Sequence, residues 1–512
     1  MTAQAANPRA AGTEKLDSGV LRVAGVVVLG AIMSILDITV VSVALPTFQR
    51  EFNATYATVA WTMTAYTLAL ATVIPVTGWA ADRFGTKRLY MLSLVLFVGG
   101  SALCSVAWDI GPLIIFRALQ GLGGGMLMPL GMTIMTRAAG PDRVGRVMAV
   151  LGVPMLLGPI GGPILGGWLI EAASWHWIFL INVPIGVIAF VLALRVLPKD
   201  RPQPSESFDF LGMLLLSPGL ALFLYGVSSI PGEGKVGSGK VLIPAVIGLV
   251  LLLAFVLHAL RKDHPLIDLG LFKNRNLTVS TVTLTLFTVA FMGAMLLMPS
   301  YFLQIRGEST LSAGLLIAPQ GLGAMLTMPI AGRLTDRIGP GKLVLPGMVL
   351  IAAGMAVFTT VTADSSYVLL LGALFVSGLG MGMTMMPIMS AALASLTHQQ
   401  VARGSTMMNI VQQTAGSIGT AVMSVILTNQ VLNSPEATAY SAVTQGQVPS
   451  DQVPPEVLTA GQSSLADAFG HTYLVAVVLI VLCLVPALFL PRKRIDKALD
   501  DQEAVPVAVG MH

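Results

Sequence analysis

Predominantly apolar stretches of roughly 20 residues dominate this chain, the length an α-helix needs to cross about 30 Å of hydrocarbon. Bounded by charges, Pro or Gly, they run near 23–45, 56–79, 88–107, 112–135, 147–170, 176–197, 210–230, 241–260, 277–303, 312–332, 343–362, 367–393, 405–429 and 470–490, fourteen in all. A soluble fold cannot hide so much apolar surface, because its polar surface must grow with its size. Only 11% of residues are charged and mean hydropathy is +0.81, against about 25% charged in soluble domains. Spanning β-strands would alternate polar and apolar positions, and these runs do not. The sequence predicts an all-α membrane protein of 14 spans.

Basic residues set the expected orientation. With the N-terminus inside, 24 of the 29 Lys and Arg residues fall on the inner side and 4 outside, while Arg117 lies within a span. That asymmetry places both termini in the cytoplasm of a plasma (inner) membrane protein. It also assigns the basic residues to topology, so no nucleic-acid partner is expected. The polar first 19 residues hold no apolar core of a cleaved signal. Cys104 and Cys483 lie inside apolar runs, the six histidines lack metal-ligand spacing, and no GxxxxGK[ST] loop occurs. No cofactor, metal or nucleotide is therefore expected, and the chemistry is not that of an enzyme. The segment 430–469 holds four acids and no Lys or Arg, which reads as a loosely ordered outer loop.

The chain also repeats itself. GWAADRFGTKR, from Gly78 to Arg88, follows the second span, and GRLTDRIGPGK, from Gly332 to Lys342, follows the tenth. Gly78, Asp82, Arg83 and Gly85 recur as Gly332, Asp336, Arg337 and Gly339. Copies eight spans apart fit two six-helix halves with two helices inserted between them. The predicted organisation is a tail at 1–22, a half at 23–200, the insert at 201–262, a second half at 263–490 and a tail at 491–512. Parallel repeats of this kind place a substrate site near the midplane between the halves.

The first copy resembles the signature of the major facilitator superfamily, and fourteen spans resemble its drug/proton antiporter branch. LDITVVSVALP (Leu36–Pro46), RALQGLGGG (Arg117–Gly125), GVPMLLGPIGGPILGG (Gly152–Gly167) and HPLIDLGLF (His264–Phe272) are similar to further motifs of that branch. Ser42 stands where Asn is usual, Ala80 for Leu and Thr86 for Arg. The resemblance implies a proton-coupled antiporter exporting amphiphilic, often cationic, drugs by alternating access, functional as a monomer and driven by the proton gradient. Export of one endogenous lipid, metabolite or antibiotic is the alternative, and a non-transporting receptor or scaffold is a third.

Particular residues suit this work. Asp37 lies well inside a span, where an ionised carboxylate costs about 2.5–3.5 kcal/mol. It is either half of a structural ion pair or a protonation site, with Arg117 as partner and Gln120 able to join them. Gly158, Gly162 and Gly166 recur every four residues beside Pro159 and Pro163, a stripe where another helix can approach closely. The resemblance adds a hinge or seal there. Gly78, Asp82, Arg83, Gly85, Asp336 and Arg337 are solvated turns or, as the resemblance implies, an ionic latch between the halves. Trp61, Tyr66, Met292, Met295, Met385, Asn409 and Gln413 are candidate pocket liners, since flexible thioethers suit varied apolar ligands. One consequence is directly measurable. A reporter fused after residue 450 is expected outside and one fused after His512 inside; both on one side would eliminate fourteen spans.

Overall fold

The computed structural model describes residues 17–493, apart from 55, 141–142, 200–206, 231–236, 398–399, 445–447 and 450–451. Its first six long helices are α1 (Ser18–Glu51), α2 (Tyr56–Phe84), α3 (Thr86–Ser105), α4 (Ile110–Ala139), α5 (Val144–Ala172) and α6, broken at Ile181 into Trp177–Leu180 and Asn182–Val196. Two follow as an insert, α7 (Phe210–Ser228) and α8 (Gly239–Ala259). The last six are α9 (Arg275–Gln304), α10 (Thr310–Ile338), α11 (Gly341–Val357), α12, in two pieces Tyr367–Gly382 and Met385–Ala394, α13 (Val401–Leu432) and α14 (Pro455–Ala487). Among the described residues, thirteen are long and apolar enough to cross a membrane. The 29 residues of α5 supply the fourteenth.

Several helices exceed the apolar runs because local signals carry them further. Asp109 caps α4 by accepting from the Ile110 amide at 2.6 Å, and Asn274 caps α9 by accepting from the Asn276 amide at 3.0 Å. Both repeat turns end a helix on a glycine in the left-handed region, Gly85 at φ 95° and Gly339 at φ 89°. Only glycine takes that conformation without strain, which accounts for its return at the same place in each copy.

Close helix crossings at small residues hold each half together. On α5, side chains added at Gly158, Gly162 and Gly166 would meet Ile35, Thr39 and Val40 of α1. Thr39 Oγ1 uses that approach to donate to the Gly158 carbonyl at 3.0 Å. The stripe therefore faces α1, within its own half. The backbones of Pro159 and Pro163 continue the helix, but their side chains lie outside the described residues. Between α9 and α13, Gly293 and Gly419 make the equivalent crossing.

The insert packs on itself through Gly226 and Gly248. Its α7 also touches both halves, α2 on one side and α13 on the other. The segment 430–469 differs from the sequence expectation of a loosely ordered outer loop. It contains a further helix, Pro435–Thr444, and α14 begins at Pro455. Gly461 of α14 lets the backbone of Glu436 come close, and Gln462 Nε2 donates to the Ile305 carbonyl at 2.8 Å. A low-charge segment rich in Ser, Thr and Ala folds once a neighbouring helix supplies a surface.

The α1–α5 crossing yields a contrast between adjacent glycines. Gly162→Leu drives a side chain into Thr39, while at Gly167 an added Cβ meets nothing within 4 Å. Overpacking costs about 1–3 kcal/mol, so Gly162→Leu is expected to lower Tm by several degrees and abolish transport, with Gly167→Leu near wild type. Thermal unfolding of the purified variants, with equal thermal stability of the two as the contrary result, decides whether the stripe faces α1.

Candidate functional site

The two halves meet tightly at one end of the bundle, the end carrying both repeat turns and the basic residues Arg492 and Lys493. Asp336 of α10 reaches the first turn of α5, accepting from the Gly145 amide at 2.8 Å and the Arg146 amide at 3.3 Å and pairing with Arg146 Nε at 3.5 Å. Free N–H groups and the positive end of the helix dipole make that turn a ready carboxylate site. Asp82 of α2 pairs with Arg137 of α4 at 3.2 Å and with Arg403 of α13 at 3.9 Å. The motif glycines allow these approaches: Gly78 packs on Arg403 and Thr406, and Gly332 on Gly145 and Ala149. Deeper in, Thr133 and Ser405 hydroxyls bond across the halves at 2.7 Å, and Ser405 also donates to the Pro129 carbonyl.

Beyond this seal lies a cavity of about 870 Å³ between the halves, within the usual range for ligand sites. Its wall comes from the middle and far-end stretches of α1, α2, α4, α9, α10, α12 and α13, with Ser228 of α7 completing it. Along α13, Asn409, Gln412, Gln413, Gly416, Ser417 and Thr420 face it at helical spacing. Met292, Met295 and Met385 line it as well.

A buried polar cluster sits behind the cavity wall, inside the first half. Asp37 on α1 is 2% exposed, and Arg117 and Gln120 on α4 are fully buried. Arg117 Nη1 donates to Asp37 Oδ2 at 2.5 Å and to Gln120 Oε1 at 2.7 Å. Asp37 Oδ1 accepts from Gln120 Nε2 at 2.8 Å and from Asn182 Nδ2 of α6 at 3.2 Å. Ser101 of α3 accepts from both amides and donates its own hydroxyl hydrogen bond to the Phe179 carbonyl at 3.0 Å. Arg117 Nε donates to the Thr62 carbonyl, and its guanidinium lies 4.3 Å from the Tyr66 ring centre. Arg117 Nη2 alone has no partner among the described residues. Tyr66 links this cluster to the cavity, since its hydroxyl is 3.2 Å from that of Ser34, a lining residue.

A second carboxylate site pins the insert. Asp209 caps α7 through the Gly212 amide at 2.9 Å, and accepts from His258 Nε2 of α8 at 2.8 Å and the Leu266 amide at 3.1 Å. Burial pushes its pKa up, but the Gly212 amide, His258 and the Leu266 amide together hold it below the usual carboxylate range.

The match to a model of the Major Facilitator Superfamily covers residues 27–420. The chain belongs to that superfamily. It is a multi-pass membrane transporter and not an enzyme. It is 51% identical to the multidrug resistance protein B homolog of Mycobacterium tuberculosis over 94% of this chain and 92% of that one. It is 31% identical to the multidrug export protein EmrB of Haemophilus influenzae, over 81% of each. The human organic anion transporter MFSD10 shares the fold, with a TM-score of 0.59 at 16% identity, covering 90% of this chain and 99% of that one.

Within this transporter the structure brings Asp37, Arg117 and Gln120 into one cluster and adds Asn182, Ser101 and Thr62, which the sequence did not single out. A lone Asn or Ser in an apolar helix does not say in the sequence which group it meets, and a backbone carbonyl carries no sequence signal at all. The structure also corrects two expectations. Trp61 stands at the bundle surface, 41% exposed, with its ring 5.7 Å from that of Tyr225 on α7. Tyr66 is buried under Arg117 and does not line the cavity. Asp37 itself lies behind the cavity wall, because it faces α4 and α6 while Ile35, Ile38, Thr39 and Ser42 face the cavity. Of the repeat-turn residues, Asp82 and Asp336 reach the opposite half, and Arg83 and Arg337 are exposed.

The seal can be probed one acid at a time. Asp336→Ala removes an ion pair and two charge-assisted hydrogen bonds, each worth about 1.5–3 kcal/mol. Labelling of a Ser405→Cys thiol, reached from the end that carries the repeat turns, is expected to rise at least ~5-fold in that background. Unchanged labelling means that the Asp336 contacts do not hold the halves together.

Proposed function

We propose that this transporter exports amphiphilic drugs from the cytoplasm in exchange for protons, by alternating access. In this reading the sealed, basic end faces the cytoplasm of the plasma membrane, as the distribution of Lys and Arg supports, and the cavity faces outward. The relatives named for multidrug resistance and multidrug export support the cargo class. No cofactor is invoked; the proton gradient is the energy source, and the chain acts as a monomer.

The observation that carries the proton reading is the geometry of Asp37. One helix, α1, holds the carboxylate on one face and the cavity residues Ile38 and Thr39 on the other. While ionised, Asp37 ties α1 to α4 and α6 through Arg117, Gln120 and Asn182. Removing one partner of a buried ion pair costs about 3–5 kcal/mol, so neutralising the carboxylate slackens the same ties. Because α1 is packed on α5 through the glycine stripe, and α5 meets Asp336 at the seal, a shift of α1 reaches the contacts that close the cytoplasmic end. Each proton entering down 100 mV contributes about 2.3 kcal/mol, comparable with one of the charged contacts it must loosen.

The experiment is Asp37→Asn. It keeps the size and removes the exchangeable proton. Substrate binding is expected within about 2-fold of wild type, because Asp37 is not in the cavity wall and a 2-fold change is only ~0.4 kcal/mol. Gradient-driven export in proteoliposomes and substrate-induced proton release are both expected to vanish. Wild-type export by Asp37→Asn would place the proton site elsewhere and leave Asp37 a structural ion-pair partner.

A further inference from the structure

The wall of the central cavity specifies more than its size. Four side-chain amides face it: Asn409 on α13 already donates to the Ser405 carbonyl at 2.9 Å, whereas Gln320 on α10 and Gln412 and Gln413 on α13 make no hydrogen bond to another described residue. Four of the six lining hydroxyls, those of Ser34, Thr39, Ser42 and Thr420, are already committed, while Ser228 and Ser417 make no hydrogen bond to another described residue. Thr39 donates to the Leu36 and Gly158 carbonyls, Ser42 to the Thr39 carbonyl and Thr420 to the Gly416 carbonyl. Most of the remaining lining is methionine, aliphatic side chain and glycine. Among the described lining residues there is neither a charged side chain nor an aromatic ring. The nearby carboxylate, Asp37, is behind the wall with one oxygen held by Arg117 and the other by Gln120 and Asn182.

Such a wall discriminates by charge. A cation entering it gives up its hydration and finds no carboxylate to pair with and no ring face to rest on. An unpaired amide offers an N–H₂ donor and a carbonyl acceptor, so it recovers the hydrogen bonds of a polar but uncharged group. The methionines adapt to whatever apolar body accompanies that group. We propose that the cavity selects uncharged amphiphiles carrying a strong hydrogen-bond acceptor, such as a carbonyl or phosphoryl oxygen, over cations of the same shape. The acceptor docks on Gln412 and Gln413, with Gln320 opposite, and the apolar body lies against Met292, Met295 and Met385. This names the cargo of the export reading and rests on that reading for direction of transport only.

A matched pair of compounds tests it. Triphenylphosphine oxide is neutral with one phosphoryl acceptor, and tetraphenylphosphonium is a cation of similar shape. Each is titrated against the purified transporter in nanodiscs preloaded with the neutral dye Nile red, with empty nanodiscs subtracted. The oxide is expected to displace the dye at a concentration at least ~10-fold below that of the cation, a difference of about 1.4 kcal/mol. The Gln412→Leu, Gln413→Leu double variant is expected to lose most of that preference, while triphenylmethane, which has no acceptor, binds it as well as wild type. Gln413→Glu is expected to tighten the cation at least ~10-fold, which guards against a double variant that fails to fold. Equal or tighter binding of the cation by wild type overturns the proposal, as does an oxide preference that survives the double variant. The measurement uses no gradient and no proton, so it can fail while Asp37-dependent export stands, and it can hold if Asp37→Asn still pumps.

Discussion

Inside a bilayer no water answers a charge, so each ionised or strongly polar group must be met by another part of the protein. Asp37 is the point where that requirement is most severe, and the first half is assembled around it. Meeting both carboxylate oxygens takes donors from α4 and α6, and satisfying those donors recruits Ser101 of α3 and the Thr62 carbonyl of α2. Five helices are thereby oriented about one side chain. Helix association without a hydrophobic drive relies on such bonds and on close packing, and here the two reinforce each other. The glycine stripe of α5 brings the opposite face of α1 near enough for Thr39 to bond to α5.

Much of this was legible in the sequence because the bilayer imposes lengths. Run lengths gave fourteen spans, the twin Gly-Asp-Arg-Gly turns gave two halves, and an acid and an Arg in separate spans announced a pair. Rotation about each helix axis was not legible. Asp37 and Thr39 are two residues apart and face different environments, and hydropathy averages over both. The same blindness put Trp61 and Tyr66 in the cavity, since polar aromatics suit a pocket, a bundle surface or the face of a guanidinium equally well. Asp209 escaped notice because a lone acid before an apolar run reads as an ordinary helix cap. Its additional partners, His258 and Leu266, lie 49 and 57 residues away along the chain.

The inserted pair alters a design that is otherwise two-fold. Helix α7 leans on α2 and α13 on one side of the molecule only, and it places Ser228 in the cavity wall. The cavity is accordingly lopsided, with the amides of α13 and the contribution of α7 on the same flank. A ligand held there meets the amides of α13 and, across from them, Gln320 of α10, with methionine and aliphatic side chains among them, which suits molecules that have both polar and apolar parts.

The seal has a property that its individual contacts do not. Asp82 belongs to the first half and reaches Arg403 of the second, whereas Asp336 belongs to the second and reaches α5 of the first. Each half is thus both hook and eye. Tilting either one strains both fastenings at once, so a partly unfastened arrangement gains little freedom while already losing bonds. The closed end should then switch as a unit, with few intermediates populated between shut and open. Two protein halves joined this way behave less like a door on a latch than like a pair of hands clasped at the fingers, where letting go is a single act.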